Sequence, residues 1–310
     1  MAGAEQTPVT VGGLLADATS QLRESGSASP RLDAELLLGH VLGIDRAGVL
    51  AHGDLPAAPG QARDFAAAVA RRERGEPVAY IRGIKEFYGL AFTVDARALI
   101  PRPDTERLVE LALERVRDAL IGRPRPAGTP PLPIWDMGTG SGAIAVTLAV
   151  ECRRRGYGGE VRLLATDSSA EALSLATENA VGHGVADLLK LRVADLAELD
   201  GATATDWLPV DLLCANLPYI PSAVIPGLPV AASFEPVAAL DGGPDGLAVI
   251  RRLLPALPAL LAERGVALLE IGDDQAAALT AAAGEALAGW SVAIHHDLAG
   301  LPRVAELTRP

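Results

Sequence analysis

The sequence predicts an α/β protein, a mostly parallel β-sheet with helices on both faces, preceded by a smaller helical domain. Three observations predict it. From Ile134 onward, short apolar strands alternate with helical stretches, the order that builds βαβ units. A Gly-x-Gly-x-Gly turn, Gly138 to Gly142, falls directly after the first of these strands and directly before a helix. Before Glu76 the apolar positions recur at helical spacing and end at small-residue stops, which marks a separate helical region.

Bulk properties bound the function. With 310 residues and 49% apolar residues the chain can bury a core in one large domain and one smaller one. Its 27 Lys+Arg against 39 Asp+Glu give a formal charge of −12, which opposes binding driven by counterion release from phosphates and disfavours nucleic acid as the partner. Only Lys85 and Lys190 are lysines, a composition bias without functional content. Cys152 and Cys214 have no CxxC spacing, so neither a metal nor a disulfide is expected. The opening MAGAEQTPVT lacks a basic start and an apolar stretch, and later apolar stretches are interrupted before spanning length. A cytoplasmic protein with no membrane partner is expected.

The elements follow in order. In SPRLDAELLLGHVLG, Ser29 can cap a helix, Pro30 suits its first position, Leu32, Leu36, Leu37 and Val41 share a face, and Gly43 ends it. DFAAAVARRERG is a second helix stopping at Gly75. Residues 1–76 are therefore read as the helical domain, and 77–103 as a linker whose β-formers on either side of Tyr88-Gly89 make a hairpin. The third region, 104–310, opens with an amphipathic helix from Asp104 or Thr105 and a Pro-rich loop, GRPRPAGTPPLP. Strands PIWDMG and VRLLATD, each followed by a helix, lead to LLKLRVAD and VDLLCA, then a long helix, the strand GVALLEIG, and a tail that reads as an antiparallel pair.

The strand ends carry the chemistry. Gly138, Thr139, Gly140, Ser141 and Gly142 let the backbone approach a ligand closely, and the following helix N-terminus offers unpaired N–H groups. A turn of this kind is also a common packing solution. Asp167, ending the second strand, can accept hydrogen bonds from both hydroxyls of a ribose. Ser168 and Glu171 beyond it have capping-box spacing. At the end of the third strand Asp195, followed by Leu196, can meet an adenine edge or be a solvated loop acid. A dinucleotide needs Gly-x-Gly-x-x-Gly to seat its pyrophosphate. S-adenosyl-L-methionine, with ribose and adenine but no phosphate, fits better.

The fourth strand runs into Asn216, Leu217, Pro218 and Tyr219. An amide nitrogen is a poor nucleophile, so an enzyme that methylates one must hold it about 3–3.5 Å from the methyl group. The Asn216 side chain and a neighbouring backbone carbonyl can accept both N–H groups of a planar NH₂, and Tyr219 can cover it. Asn216, Pro218 and Tyr219 are thus the catalytic candidates, and Asn216 to Tyr219 the substrate site. By itself this tetrapeptide leaves a glutamine amide and an adenine amine equally open.

RLDAELLLGHVLG, GEPVAYIRGIKEFYGLAF, ALIPRPDTERLVE, DMGTGSGAIA, NLPYI, EPVAALDGGPDGL and LLEIGDDQ closely resemble the release-factor glutamine methyltransferase family over nearly the whole chain. The resemblance implies a Rossmann-like class I methyltransferase domain with a seven-stranded sheet, joined by a hairpin to an N-terminal domain that reads the protein substrate. It also implies S-adenosylmethionine-dependent methylation of the glutamine amide in the Gly-Gly-Gln motif of class I peptide chain release factors. The family's glycine loop, strand-two acid and Asn-Pro-Pro-Tyr site match Gly138 to Gly142, Asp167 and Asn216 to Tyr219. The departure is Leu217, where the family has proline. It keeps a carbonyl and gains an N–H, and Leu217→Pro is expected to alter transfer and leave cofactor affinity nearly unchanged.

Alternative acceptors are a ribosomal-protein glutamine and an RNA adenine, since Asn-Leu-Pro-Tyr also resembles the ribosomal RNA adenine dimethyltransferases. A scaffold that only binds the cofactor is the rival from another class. Arg102, Thr105 and Glu106 match a family hallmark and can close over the cofactor, brace the acceptor loop, or serve as a salt bridge and helix cap. Glu235 and Pro236 are expected to order the loop after the fourth strand. His295 and His296 are expected to be surface or packing residues, and Trp135, Trp207 and Trp290 core or rim aromatics.

Overall fold

The computed structural model describes residues 9–122 and 128–310. The first eight residues of the MAGAEQTPVT start and residues 123–127 of the Pro-rich loop lie outside the described residues. The chain divides into two compact units, 1–84 with 229–234, and 85–228 with 235–310.

The first unit is helical, with α1 (Val11–Glu24), α2 (Pro30–Leu42), α3 (Arg46–Ala51), α4 (Pro59–Glu73) and α5 (Val78–Arg82). Thr10 caps α1 by accepting the Gly13 N–H, and Asp45 caps α3 through Gly48. Leu15, Leu22, Leu37, Leu38, Phe65 and Val69 pack as its core. The buried face of α2 differs from the expected stripe, because Leu32 is exposed while Ala34, Leu37 and Leu38 are buried together with Asp33 and Glu35. Those acids are tolerated inside because they are paired. Asp33 accepts from Arg72 at 2.7 Å and from the Ser27 and Ser29 hydroxyls, and Glu35 is held by Arg31 and Arg46. Ser29 thus spends its hydroxyl on Asp33 and leaves the helix end uncapped by a side chain. The stretch VAYIR, expected among the β-formers, forms helix α5, which Gly83 ends in the left-handed conformation at φ 71°.

The second unit opens with a hairpin, β1 (Ile84–Phe87) and β2 (Leu90–Thr93). Tyr88 and Gly89 lie at φ 50° and 70°, the positive pair that a two-residue hairpin turn demands. A 3₁₀ turn at Pro103–Thr105 leads into α6 (Glu106–Ile121). Then come β3 (Leu132–Met137), α7 (Ala143–Arg154), β4 (Val161–Asp167), α8 (Ala170–Gly182), β5 (Leu189–Val193), the unanticipated α9 (Gly201–Trp207) and β6 (Val210–Ala215). The expected long helix before the next strand is two short ones, α10 (Ala248–Leu253) and α11 (Leu257–Leu260), with Pro255 and Pro258 between and within them. The chain closes with β7 (Leu261–Glu270), α12 (Ala276–Ala286), β8 (Ser291–His296) and β9 (Pro302–Thr308). Helix α8 is capped by Ser169, which accepts the Ala172 N–H, so the capping box expected from Ser168 and Glu171 does not form.

Seven strands form one sheet in the order β5-β4-β3-β6-β7-β9-β8, parallel from β5 to β7, with β9 antiparallel to both of its neighbours. Central strands β3, β4 and β6 are buried along nearly their whole length, as helices on both faces require. Chain order reverses between β3 and β6, so the carboxyl ends of these strands open a crevice where such sheets bind ligands.

Candidate active site

A cavity of about 470 Å³ occupies that crevice, within the range that holds a nucleoside-sized ligand. Gly138, Thr139, Gly140, Ser141, Asp167, Asp195, Leu196, Asn216, Leu217 and Pro218 line it. Gly142 and Tyr219 are not among the lining residues.

The glycine loop is positioned from beneath. Asp136, fully buried at the end of β3, accepts the Thr139 hydroxyl at 2.6 Å and the Ala145 N–H at 3.1 Å. Burial pushes its carboxyl up to about 7, against the pull of those two donors. Gly138, Gly140 and Gly142 all have positive φ, at 73°, 56° and 82°. At Gly140 a Cβ would meet only the Ala98 Cβ at 3.9 Å, so the glycine leaves a cradle open toward the cavity. Gly142 has a packing role, since a Cβ there would come within 3.1 Å of Ala176 on α8.

Asp167 faces the cavity with each oxygen already fixed by one backbone donor. Gly140 N–H binds one oxygen and Ser169 N–H the other, both at 2.9 Å. A carboxylate oxygen accepts more than one hydrogen bond, so both remain able to take a ribose hydroxyl. Asp195 is paired at 2.7 Å with Arg252, another lining residue. That pairing fixes the carboxylate at the rim, and the sequence offered no signal for it, because Arg252 lies on α10, beyond the next strand, β6.

Two further elements close the cavity. Ala96–Ala98, Leu99, Pro101 and Arg102 line one side, and Pro236, Ala238 and Ala239 another. Glu235 joins them, buried and accepting the Arg102 guanidinium at 2.6 Å and the Ile100 N–H at 3.0 Å. The two hallmark segments therefore brace each other inside the second unit. Asn179, also unanticipated, exchanges hydrogen bonds with the Thr93 backbone and donates to the Ser141 carbonyl at 2.9 Å, fastening β2 to the glycine loop. Glu106 accepts the Tyr88 N–H, so of the hallmark trio it serves the hairpin and Thr105 alone reaches the acceptor motif.

The acceptor motif begins where β6 ends. Asn216 donates its side-chain NH₂ to the Thr105 hydroxyl at 3.0 Å, and among the described residues no protein donor reaches its Oδ1 or the Leu217 carbonyl. Leu217 is buried, and its Cδ2 lies 3.1 Å from where a Cβ on Gly138 would sit. The acceptor motif and the glycine loop thus touch through the residue at which the family motif departs, a contact that the motif alone did not reveal. Tyr219 donates its hydroxyl to Glu270 at 3.3 Å, and its carbonyl accepts from Gln275. Burial and the neighbouring Glu270 raise the phenol well above its usual range.

Of the remaining residues, Trp135 is buried and donates to Thr166, while Trp207 and Trp290 lie under the guanidinium groups of Arg162 and Arg309. His295 bonds Glu306 on the neighbouring strand. Both cysteines are buried and free. Among the described residues no cluster of acidic, His or Cys side chains could hold a metal ion, and no helix is long and apolar enough to cross a membrane.

The sheet order, the glycine cradle, the ribose-ready Asp167 and the enclosed crevice define an S-adenosylmethionine-dependent methyltransferase. Residues 13–83 match the family model described as the PrmC N-terminal domain. The chain is 44% identical to the release factor glutamine methyltransferase of Moorella thermoacetica, with 86% of each chain covered. It is 35% identical to that of Rhodopirellula baltica, with 98% of this chain and 97% of the other covered. It belongs to the release factor glutamine methyltransferase family. The fold alone is shared with the hMettl16 catalytic domain solved with a 3′UTR hairpin, at 15% identity, a TM-score of 0.53, and 81% and 82% coverage.

Proposed function

We propose that this enzyme methylates the side-chain amide nitrogen of the glutamine in the Gly-Gly-Gln motif of class I peptide chain release factors. One observation carries the reading: the Asn216 NH₂ is committed to Thr105, so its Oδ1 is left as an acceptor beside the free Leu217 carbonyl. Two such acceptors match the two N–H groups of a primary carboxamide. Accepting both raises electron density on the nitrogen and fixes the plane in which it reacts. S-adenosylmethionine supplies an electrophilic methyl group. Gly138 to Ser141 and Asp167 would hold it, with Asp195 and Leu196 at the adenine end. Leu217 and Pro218 form an apolar wall that limits water around the amide.

A protein partner rather than RNA is supported by the formal charge of −12 and by the names of the relatives. The reading carries with it a cytoplasmic setting. The test is incubation with methyl-labelled S-adenosylmethionine and a purified release factor, followed by peptide mapping. Label on the glutamine of the Gly-Gly-Gln peptide is expected. Label confined to a ribosomal protein or to RNA refutes the substrate, and cofactor binding without transfer to any of them leaves only the scaffold.

A further inference from the structure

Strand β6 ends at Ala215, so the carbonyls of the acceptor motif leave the ladder and each must find its own donor. Among the described residues no protein donor reaches those of Leu217 and Pro218, two residues that line the cavity. The next two carbonyls are taken. Ile220 accepts the Gly242 N–H at 2.9 Å, and Tyr219 accepts the side-chain NH₂ of Gln275 at 2.8 Å.

Gln275 is buried where β7 gives way to α12. It occupies the N-cap of that helix, a position that favours short capping side chains, yet its own side chain makes no cap bond. Both ends of the amide are spent elsewhere: Oε1 accepts the Gly272 N–H at 2.9 Å, and Nε2 donates to Tyr219. These partners permit one orientation, because an N–H only donates and a carbonyl only accepts. The Gln275 backbone N–H closes the same turn onto the Gly272 carbonyl at 3.1 Å, so the amide sits on a short, doubly tied loop. Gly246 makes room for the contact. Its φ is 78°, and a Cβ there would run into both the Tyr219 oxygen and the Gln275 Nε2.

The acceptor motif is thereby bracketed. Asn216 is tied at one end to Thr105, and Tyr219 is tied at the other by its carbonyl to Gln275 and by its hydroxyl to Glu270. Only Leu217 and Pro218 lie between them, and the Pro218 ring locks its own φ. Fixing the Tyr219 carbonyl fixes the plane of the peptide that follows and leaves this short span little freedom to swing the Leu217 carbonyl. We propose that Gln275 is a positioning residue for methyl transfer, the far anchor that holds the Leu217 carbonyl beside the Asn216 Oδ1. The proposal rests on the reading of Asn216 and Leu217 as the acceptors of the substrate amide.

The experiment measures single-turnover methyl transfer from S-adenosylmethionine to a purified release factor, over a range of release-factor concentrations, by the full-length wild type, Gln275→Glu and Gln275→Met. Calorimetry gives the cofactor affinity of each. Gln275→Glu keeps the length and the bond from Gly272 but sets a carboxylate against the Tyr219 carbonyl. Gln275→Met keeps the length and loses both bonds. The maximal rate is expected to fall about 10- to 100-fold in both variants, the cost of a misplaced acceptor. Gln275 does not line the cavity, so cofactor affinity is expected to stay within about threefold of wild type, as is the release-factor concentration giving half the maximal rate. A residue that only braces the turn before α12 gives a different pattern: Gln275→Glu, with the Gly272 bond intact, transfers like wild type. That outcome overturns the proposal, as does a loss of cofactor affinity that matches the loss of rate. Where Gln275→Glu does not fold, Gln275→Met decides alone, and a rate within about twofold of wild type overturns the proposal. A wild-type enzyme that transfers nothing to the release factor overturns the substrate reading itself, and the bracket with it.

Discussion

Gly138→Ala tests whether the cofactor loop and the acceptor motif are mechanically joined. Two costs meet at this residue. Its φ of 73° lies in the left-handed region, where an L-residue costs about 1–2 kcal/mol. The added Cβ would also lie 3.1 Å from the Leu217 Cδ2, and Leu217, only 5% exposed, has little room to yield. Overpacking of that kind adds about 1 kcal/mol, so the single variant should lose about 2–3 kcal/mol of unfolding free energy. Leu217→Ala removes the opposing atoms at a cost of about 2–3 kcal/mol. In the double variant the backbone strain persists and the overlap vanishes. The two losses should therefore fall short of additivity by about 1 kcal/mol, beyond the 0.3–0.5 kcal/mol scatter of independent sites. Urea unfolding of the four proteins measures the cycle, and calorimetric titration with S-adenosylmethionine follows the loop's competence in parallel. Additivity within that scatter would falsify the idea that Leu217 couples the two motifs.

Three further outcomes follow from the same geometry. Asp167→Asn sets an amide N–H against one of the backbone donors from Gly140 and Ser169; calorimetry should show S-adenosylmethionine binding weakened by roughly 10- to 100-fold, the worth of one charge-assisted hydrogen bond, and affinity within threefold of wild type refutes the ribose role. Leu217→Pro trims a buried side chain packed toward Gly138, so cofactor affinity should fall by about fourfold, the equivalent of one buried methylene, besides any change in transfer; unchanged affinity restores the simpler expectation drawn from the motif. Asp136 is buried with its carboxyl raised to about 7 from 3.8, so the folded state holds a proton that the unfolded state has released. The stability this group contributes is full below its unfolded value, falls as pH rises from there and is gone above about 7, on the order of 4 kcal/mol in all. Denaturation of wild type and Asp136→Asn at two pH values should show a difference that shifts toward the variant as pH rises, and a constant difference refutes the assignment.

Much of this was legible along the chain, because the signals are local. A glycine loop between strand and helix, an acid at the next strand end, and a tetrapeptide suited to a planar amide each announce themselves within a few residues. Strand and helix alternation determined the sheet class in the same way. Other features needed chain distant in sequence to come together. Arg252 reaches Asp195, Glu235 clasps Arg102, and Asn179 fastens the hairpin to the loop, through pairings that no local pattern encodes. The α2 stripe was misread for a related reason: Asp33 and Glu35 go inside only because Arg72, Arg31 and Arg46 meet them there. The sequence by itself determined the sheet class and picked out most of the strand-end residues that line the crevice. Only the tertiary structure decided which way Asn216 faces. That depends on a threonine from another element, Thr105, whose hydroxyl oxygen takes the Asn216 NH₂ at 3.0 Å.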